Sequence, residues 1–207
     1  ESNLGRANTA PDILYLDGSA YAIVNRENGS RLLEIGGDGQ VTRRVNNIID
    51  FIGMNYNTVD SVIINGMDYD ASLNEILLAG YVSTFGIRLT IVLGIDLVQL
   101  SPVWLRTHVF DGVADAVHCL RNGKYAVSGI KNGTPFIYMD NRQGSAFQNQ
   151  SRPDFTNTYY FHVDGTDSTV VIHGAEANGS RVVVFNEELI EFTSRSIPVG
   201  NSLIRTS

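Results

Sequence analysis

Lysine is nearly absent from this chain: Lys124 and Lys131 stand against thirteen arginines in 207 residues. With a net charge of −7, the sequence lacks the basic face that a phosphate backbone requires, so nucleic acid is set aside as a partner. Cysteine is reduced to Cys119, which excludes an internal disulfide framework and a cysteine-based zinc site. No apolar run is long enough for a transmembrane helix, and no membrane insertion is expected. There is no signal-peptide pattern, and the chain begins at Glu1 without a methionine, as a processed form or a piece of something longer would. The compartment stays open, with an extracellular, virion or other surface setting favoured. Charged residues are scarce at 18%, but 43% of the chain is hydrophobic, which excludes disorder and supplies a core.

What the sequence has is a repeat. Asn28-Gly29, Asn132-Gly133 and Asn178-Gly179 sit at matching places, with Phe85-Gly86 as a variant copy. Asn-Gly between apolar runs signals a tight hairpin, because a type I′ turn needs positive φ at both central residues. The four glycines are spaced by 57, 47 and 46 residues (86−29, 133−86, 179−133). Each hairpin joins two nearly continuous apolar runs, such as Tyr21-Ala22-Ile23-Val24 before the first and Val182-Val183-Val184-Phe185 after the last. Continuous rather than alternating apolar character indicates strands covered on both faces. A third strand precedes each hairpin: Ile13–Leu16, Ser61–Ile64, Ala116–Cys119 and Tyr159–Val163. Each is followed by a turn dipeptide: Asp17-Gly18, Asn65-Gly66, Asn122-Gly123 and Asp164-Gly165. A fourth, more polar strand follows, at Gln40–Arg44, Val98–Arg106, Ser145–Phe147 and Leu189–Thr193.

Four antiparallel strands with a buried middle and a polar last strand describe a blade, and the repeat resembles that of β-propeller proteins. The resemblance implies one all-β domain over 1–207, with blades at about 12–44, 60–106, 113–148 and 157–199. Four blades closing on themselves is the leading arrangement. A β-sandwich, or part of a larger propeller completed by another chain or segment, is the alternative. The blade count and the Asp at the start of three inner strands (Asp12, Asp60 and Asp115, with Asn157 in the fourth) are also similar to hemopexin-type propellers. The chain departs from that family in lacking its Tyr/Phe-Trp pair, its Trp-Pro-Gly-Leu-Pro segment and its end-to-end disulfide, so none of its functions is carried over.

The candidate site residues follow from this frame. Asp12, Asp60, Asp115 and Asn157 each precede an inner strand, and together could ring the mouth of a central channel and hold Ca²⁺ or a cationic group. Capping of local turns is the competing role. Phe51, Met54 and Tyr56, in the long segment 46–59, offer an apolar contact patch; a short helix over 45–52 packed against the ring is the alternative. Trp104 and Arg106 are residue types favoured at protein contacts, against a packing role for the single Trp. The aromatic run Tyr159–His162 can place no more than two side chains on one side of a strand.

Catalytic patterns are missing. His118 and Cys119 are neighbours on one strand and point to opposite faces. There is neither HExxH spacing nor a G-x-S-x-G elbow. Gly36-Gly37-Asp38-Gly39 reads as a turn, and Asp68-Tyr69-Asp70 lacks the later ligands of a calcium loop. Asn-x-Ser/Thr occurs at Asn28, Asn132, Asn149 and Asn178, but the hairpins explain three of these. The expectation is a non-enzymatic interaction or structural module that meets a protein partner, as part of a larger assembly or as a homo-oligomer. A lectin with repeated glycan sites is the second reading and a hydrolase the third.

Overall fold

The computed structural model describes residues 12–26, 29–45, 48–54, 56, 58–145, 147–151, 160–176 and 179–198. Four strands, β1 (Ile13–Leu16), β2 (Ser19–Arg26), β3 (Gly29–Ile35) and β4 (Val41–Val45), form the first antiparallel blade in chain order. A short helix α1 (Ile48–Gly53) follows. The next sheet has seven strands: β5 (Ser61–Asp70), β6 (Glu75–Thr84), β7 (Ile87–Asp96), β8 (Ser101–Cys119), β9 (Lys124–Lys131), β10 (Thr134–Asn141) and β11 (Gln148–Ser151). It is two blades sharing one long strand. The first part of β8 pairs with β7 as the outer strand of the second blade, and Gly112–Cys119 pairs with β9 as the inner strand of the third. The fourth blade is β12 (Tyr160–Thr166), β13 (Thr169–Glu176), β14 (Gly179–Asn186) and β15 (Glu191–Pro198).

Two hairpin tips have the expected chemistry. Asn132 and Gly133 take φ of 49° and 77°, and Phe85 and Gly86 take 50° and 75°, the left-handed pair that a two-residue turn between twisted strands requires. Asn28 and Asn178 lie outside the described residues, while Gly29 and Gly179 begin β3 and β14. Two of the expected turns after inner strands are not turns. Asn65-Gly66 lies inside β5, where a bulge interrupts the pairing with β6. Glycine is needed there for close approach: a Cβ on Gly66 would stand 2.7 Å from Cα of Ala116 in the next blade. Asp164-Gly165 likewise lies inside β12, which continues to Thr166. Asp17-Gly18 and Asn122-Gly123 turn as expected, with positive φ at all four residues. The third blade's outer strand falls at Gln148–Ser151, just beyond the expected Ser145–Phe147.

Successive blades stack through three hydrophobic cores. Tyr21, Ile23 and Leu32 of the first blade meet Ile64, Leu78 and Val82 of the second, and Ile48 and Ile52 of α1 seal that core. Leu77, Ala79 and Val92 of the second meet Val117, Tyr125 and Tyr138 of the third. Ala126, Ile137 and Met139 of the third meet Val163, Ile172 and Val183 of the fourth. Each fully buried aliphatic side chain contributes about 1.5–3 kcal/mol, so these cores dominate the stability. Polar ties between neighbouring blades set the stagger. Asn25 bonds both the carbonyl and the amide of Ile64 through its side chain (2.7 and 3.1 Å). The Asn65 amide donates to the Ala114 carbonyl at 2.8 Å. A ring closed by four blades would have a fourth core between β1–β4 and β12–β15. Among the described residues there is none, and Ile13 and Tyr15 on β1 are 72% and 70% exposed. The expected closure within one chain is therefore not seen among these residues.

Candidate functional site at the hairpin tips

Antiparallel order puts the β6–β7 and β9–β10 tips, and the crossings between blades, at one end of the sheets. The segment after α1 lies against the β6–β7 tip: Thr84 Oγ1 donates to the Thr58 carbonyl at 2.8 Å, and the Asp60 amide donates to the Ser83 carbonyl at 2.8 Å. Phe85 projects from this tip and is 78% exposed, with Ile87 beside it and Met54 77% exposed on the same end. A bulky side chain at positive φ is uncommon, and left-handed non-glycine residues are held there at a cost of about 1–3 kcal/mol. The tip therefore displays an aromatic ring on a strained backbone at a position where the third blade uses asparagine.

Beside it is a pocket of about 400 Å³ lined by Arg88, Asp111, Val113, Asp115, Ile130 and Asn132 with two glycines. Asp115 sits at a bulge in β8, where the pairing with β9 slips between Ala114 and Ala116. The bulge re-aims its carboxyl, as bulges beside functional sites do. That carboxyl is half-buried, bonds to no described residue, and is pushed up to about 7 by burial. A carboxyl in this state is poised to receive a cationic group, which would return it to the ionised form.

The other expected site residues separate. Asp12 accepts from the Met67 amide at 3.2 Å, tying the first blade to the second, and Asp60 is exposed. Asn157 lies outside the described residues. Among the described residues no three His, Cys, Asp or Glu side chains are grouped where a metal ion could be held, so Asp12, Asp60 and Asp115 form no metal cluster. They occupy unequal places: a tie between blades, an exposed bend and a bulge. Phe51 and Tyr56 pack against the core between the first two blades, and Tyr56 also bonds Thr107, which leaves Met54 alone of that patch exposed. Trp104 is packing: its indole lies over Gly94, where a Cβ would overlap it, stacks on Tyr125 at 5.9 Å and donates to Glu75 at 2.7 Å. Arg106 donates to the Arg142 carbonyl at 2.8 Å, and Arg142 pairs with Glu75 at 2.9 Å. Both residues thus join the second blade to the third. Phe85 and Arg88 were not among the expected site residues; an aromatic at a turn position that demands positive φ was the available signal.

A second titratable group lies at the opposite end. His118 of β8 reaches Asp68 of β5 at 3.1 Å, Asp164 of β12 at 3.8 Å and the Thr166 carbonyl at 3.1 Å. Burial would lower this imidazole, but the bonds to Asp68 and Thr166 and the two carboxylates outweigh it, and its pKa is raised. Burial would raise Asp68, but its bonds to His118 and to the Cys119 and Tyr69 amides outweigh that, and its pKa is lowered. Burial and the nearby carboxylates hold the Cys119 thiol well above its ordinary value, in its protonated, inert form. The geometry is that of a clasp joining the inner strands of three blades.

No family model and no curated protein matches the chain. Solved structures do. The Cps50 (Swd1) β-propeller domain of Myceliophteria thermophila superposes with a TM-score of 0.58 at 9% identity, covering 95% of this chain and 58% of that one. The Dos1 propeller gives 0.55 at 10% identity, over 90% of this chain and 47% of that one. A prolyl endopeptidase gives 0.52 at 13%, over 92% of this chain and 28% of the other. The chain thus spans about half the length of the first two propellers. It has the all-β propeller fold.

Proposed function

We propose that the chain is a non-enzymatic interaction module that meets a protein partner through its hairpin-tip end. The observation that carries this reading is Phe85, an exposed aromatic held in the left-handed region at the tip of a hairpin whose counterpart in the third blade is Asn132. Aromatic side chains of this kind anchor protein interfaces by filling a pocket on the partner. Ile87 and Met54 widen the apolar contact. The Asp115 pocket adds a seat for a basic side chain of the same partner, and Arg88 at its rim orients that contact.

Phe85→Asn separates binding from folding, because asparagine suits the turn and deletes the anchor. The expected result is a protein retained by wild-type bait and lost by Phe85→Asn and Asp115→Asn baits of unchanged fold. Equal retention of the same proteins by all three overturns the proposal.

A further inference from the structure

The hairpin register makes the four blades comparable residue by residue. Ile13, Ile64, Val117 and Val163 each lie opposite the residue four positions before the end of the second strand, namely Ala22, Gly80, Val127 and Ile172. Ile64, Val117 and Val163 are 0%, 4% and 1% exposed, each in the core against the preceding blade, whereas Ile13 is 72% exposed. The reverse holds at the other end. Leu32, Thr90 and Ile137 are fully buried towards the following blade, and their counterpart Val182 is partly exposed.

The two end blades nevertheless have faces made for covering. Strand alternation puts Ala20, Ala22, Leu33 and Ile35 beside Ile13 and Tyr15 on the side of the first blade away from the second. It puts Val171, Val182 and Val184, with His173 opposite Val182, on the side of the fourth blade away from the third. The first face is the kind that receives a preceding blade, and the second the kind that receives a following one. Packing one on the other repeats a join the chain already makes three times.

We propose that these faces cover each other between two copies of this chain, the fourth blade of each packing on the first blade of its partner to close one ring. The span fits two copies: this chain covers 58% and 47% of the two propeller chains it superposes on. Two copies give a ring of about eight blades, within the known range. The contact is head-to-tail and closes after two steps, so it ends at a dimer and not a filament.

Light scattering on the eluting protein tests this. The wild-type chain is expected at twice its 22.7 kDa mass. Leu33→Glu and Val182→Glu, which alter one end face each and none of the three internal cores, are each expected at the single-chain mass with an unchanged circular dichroism spectrum. An equal mixture of the two variants is expected to regain the doubled mass, because one of its two junctions keeps both faces intact. Leu33→Gln and Val182→Thr serve the same comparison if a glutamate variant loses its β spectrum. A wild-type monomer at every concentration, a mass that grows past two copies, or a mixture that stays monomeric overturns the proposal. The first of these results is also the one expected if blades of another polypeptide cover the faces.

Discussion

Asp115→Asn should stabilise the protein at neutral and basic pH and leave it unchanged in acid. The Asp115 carboxyl is raised by burial to about 7 in the folded chain. In the unfolded chain it titrates near 3.9, so the difference is roughly three units, and at about 1.4 kcal/mol per unit the ceiling is ~4 kcal/mol. Because the group is half-buried and the pocket admits water, a discounted effect of about 1–3 kcal/mol is the working figure. The folded state holds this proton more tightly than the unfolded state. The destabilisation is therefore absent below about pH 4, grows as pH rises towards 7, and is constant above it. Asparagine keeps the shape and removes the charge. Urea unfolding of both proteins at about pH 4.5 and pH 8 reads the difference as a shift in midpoint at constant slope. The expected pattern is near-equality in acid and a higher midpoint for the variant at pH 8. A variant less stable than wild type at pH 8, or an offset equal at both pH values, refutes the assignment of an unpaired, desolvated carboxyl.

Phe85→Asn should raise the melting temperature by the equivalent of about 1 kcal/mol, because asparagine occupies the left-handed region at lower cost than a bulky side chain; no change on calorimetry would mean that the turn is unstrained. His118→Ala should cost about 1–3 kcal/mol through loss of the Asp68 bond. That cost should be larger near pH 5.5 than near pH 9, since a raised imidazole stabilises fully below its ordinary value and fades as pH climbs through the folded one. Trp104→Ala should cost about 3–5 kcal/mol by uncovering Gly94 and leaving a cavity over Tyr125, and unchanged denaturant midpoints would contradict its packing role.

The blades were legible because their signals are local. Alternation and continuity of apolar residues report strand burial, and Phe85-Gly86 and Asn132-Gly133 mark turns whose dihedral angles only a few residues tolerate. Asn65-Gly66 has the same letters as Asn132-Gly133, yet its glycine answers to the backbone of Ala116 in the neighbouring blade. That requirement is tertiary and leaves no local trace. Asp115 was legible as a candidate but not in its role, because the bulge that isolates it comes from a slip between β8 and β9. Trp104 and Arg106 looked like contact residues by type alone, whereas Glu75, Gly94 and Arg142, which claim them, are brought close only by the stacking of the second and third blades. The three cores, and the open face around Ile13 opposite Ala22, follow from how blades are ordered in space.

The hairpin-tip end can be tested directly by hydrogen exchange on the complex with the protein that Phe85→Asn fails to retain. The account predicts slowed exchange at 58–60, 84–88, 111–115 and 131–134, with the turns at 71–74 and 121–123 unaffected. Protection confined to those opposite turns, or to the clasp around His118, would contradict it.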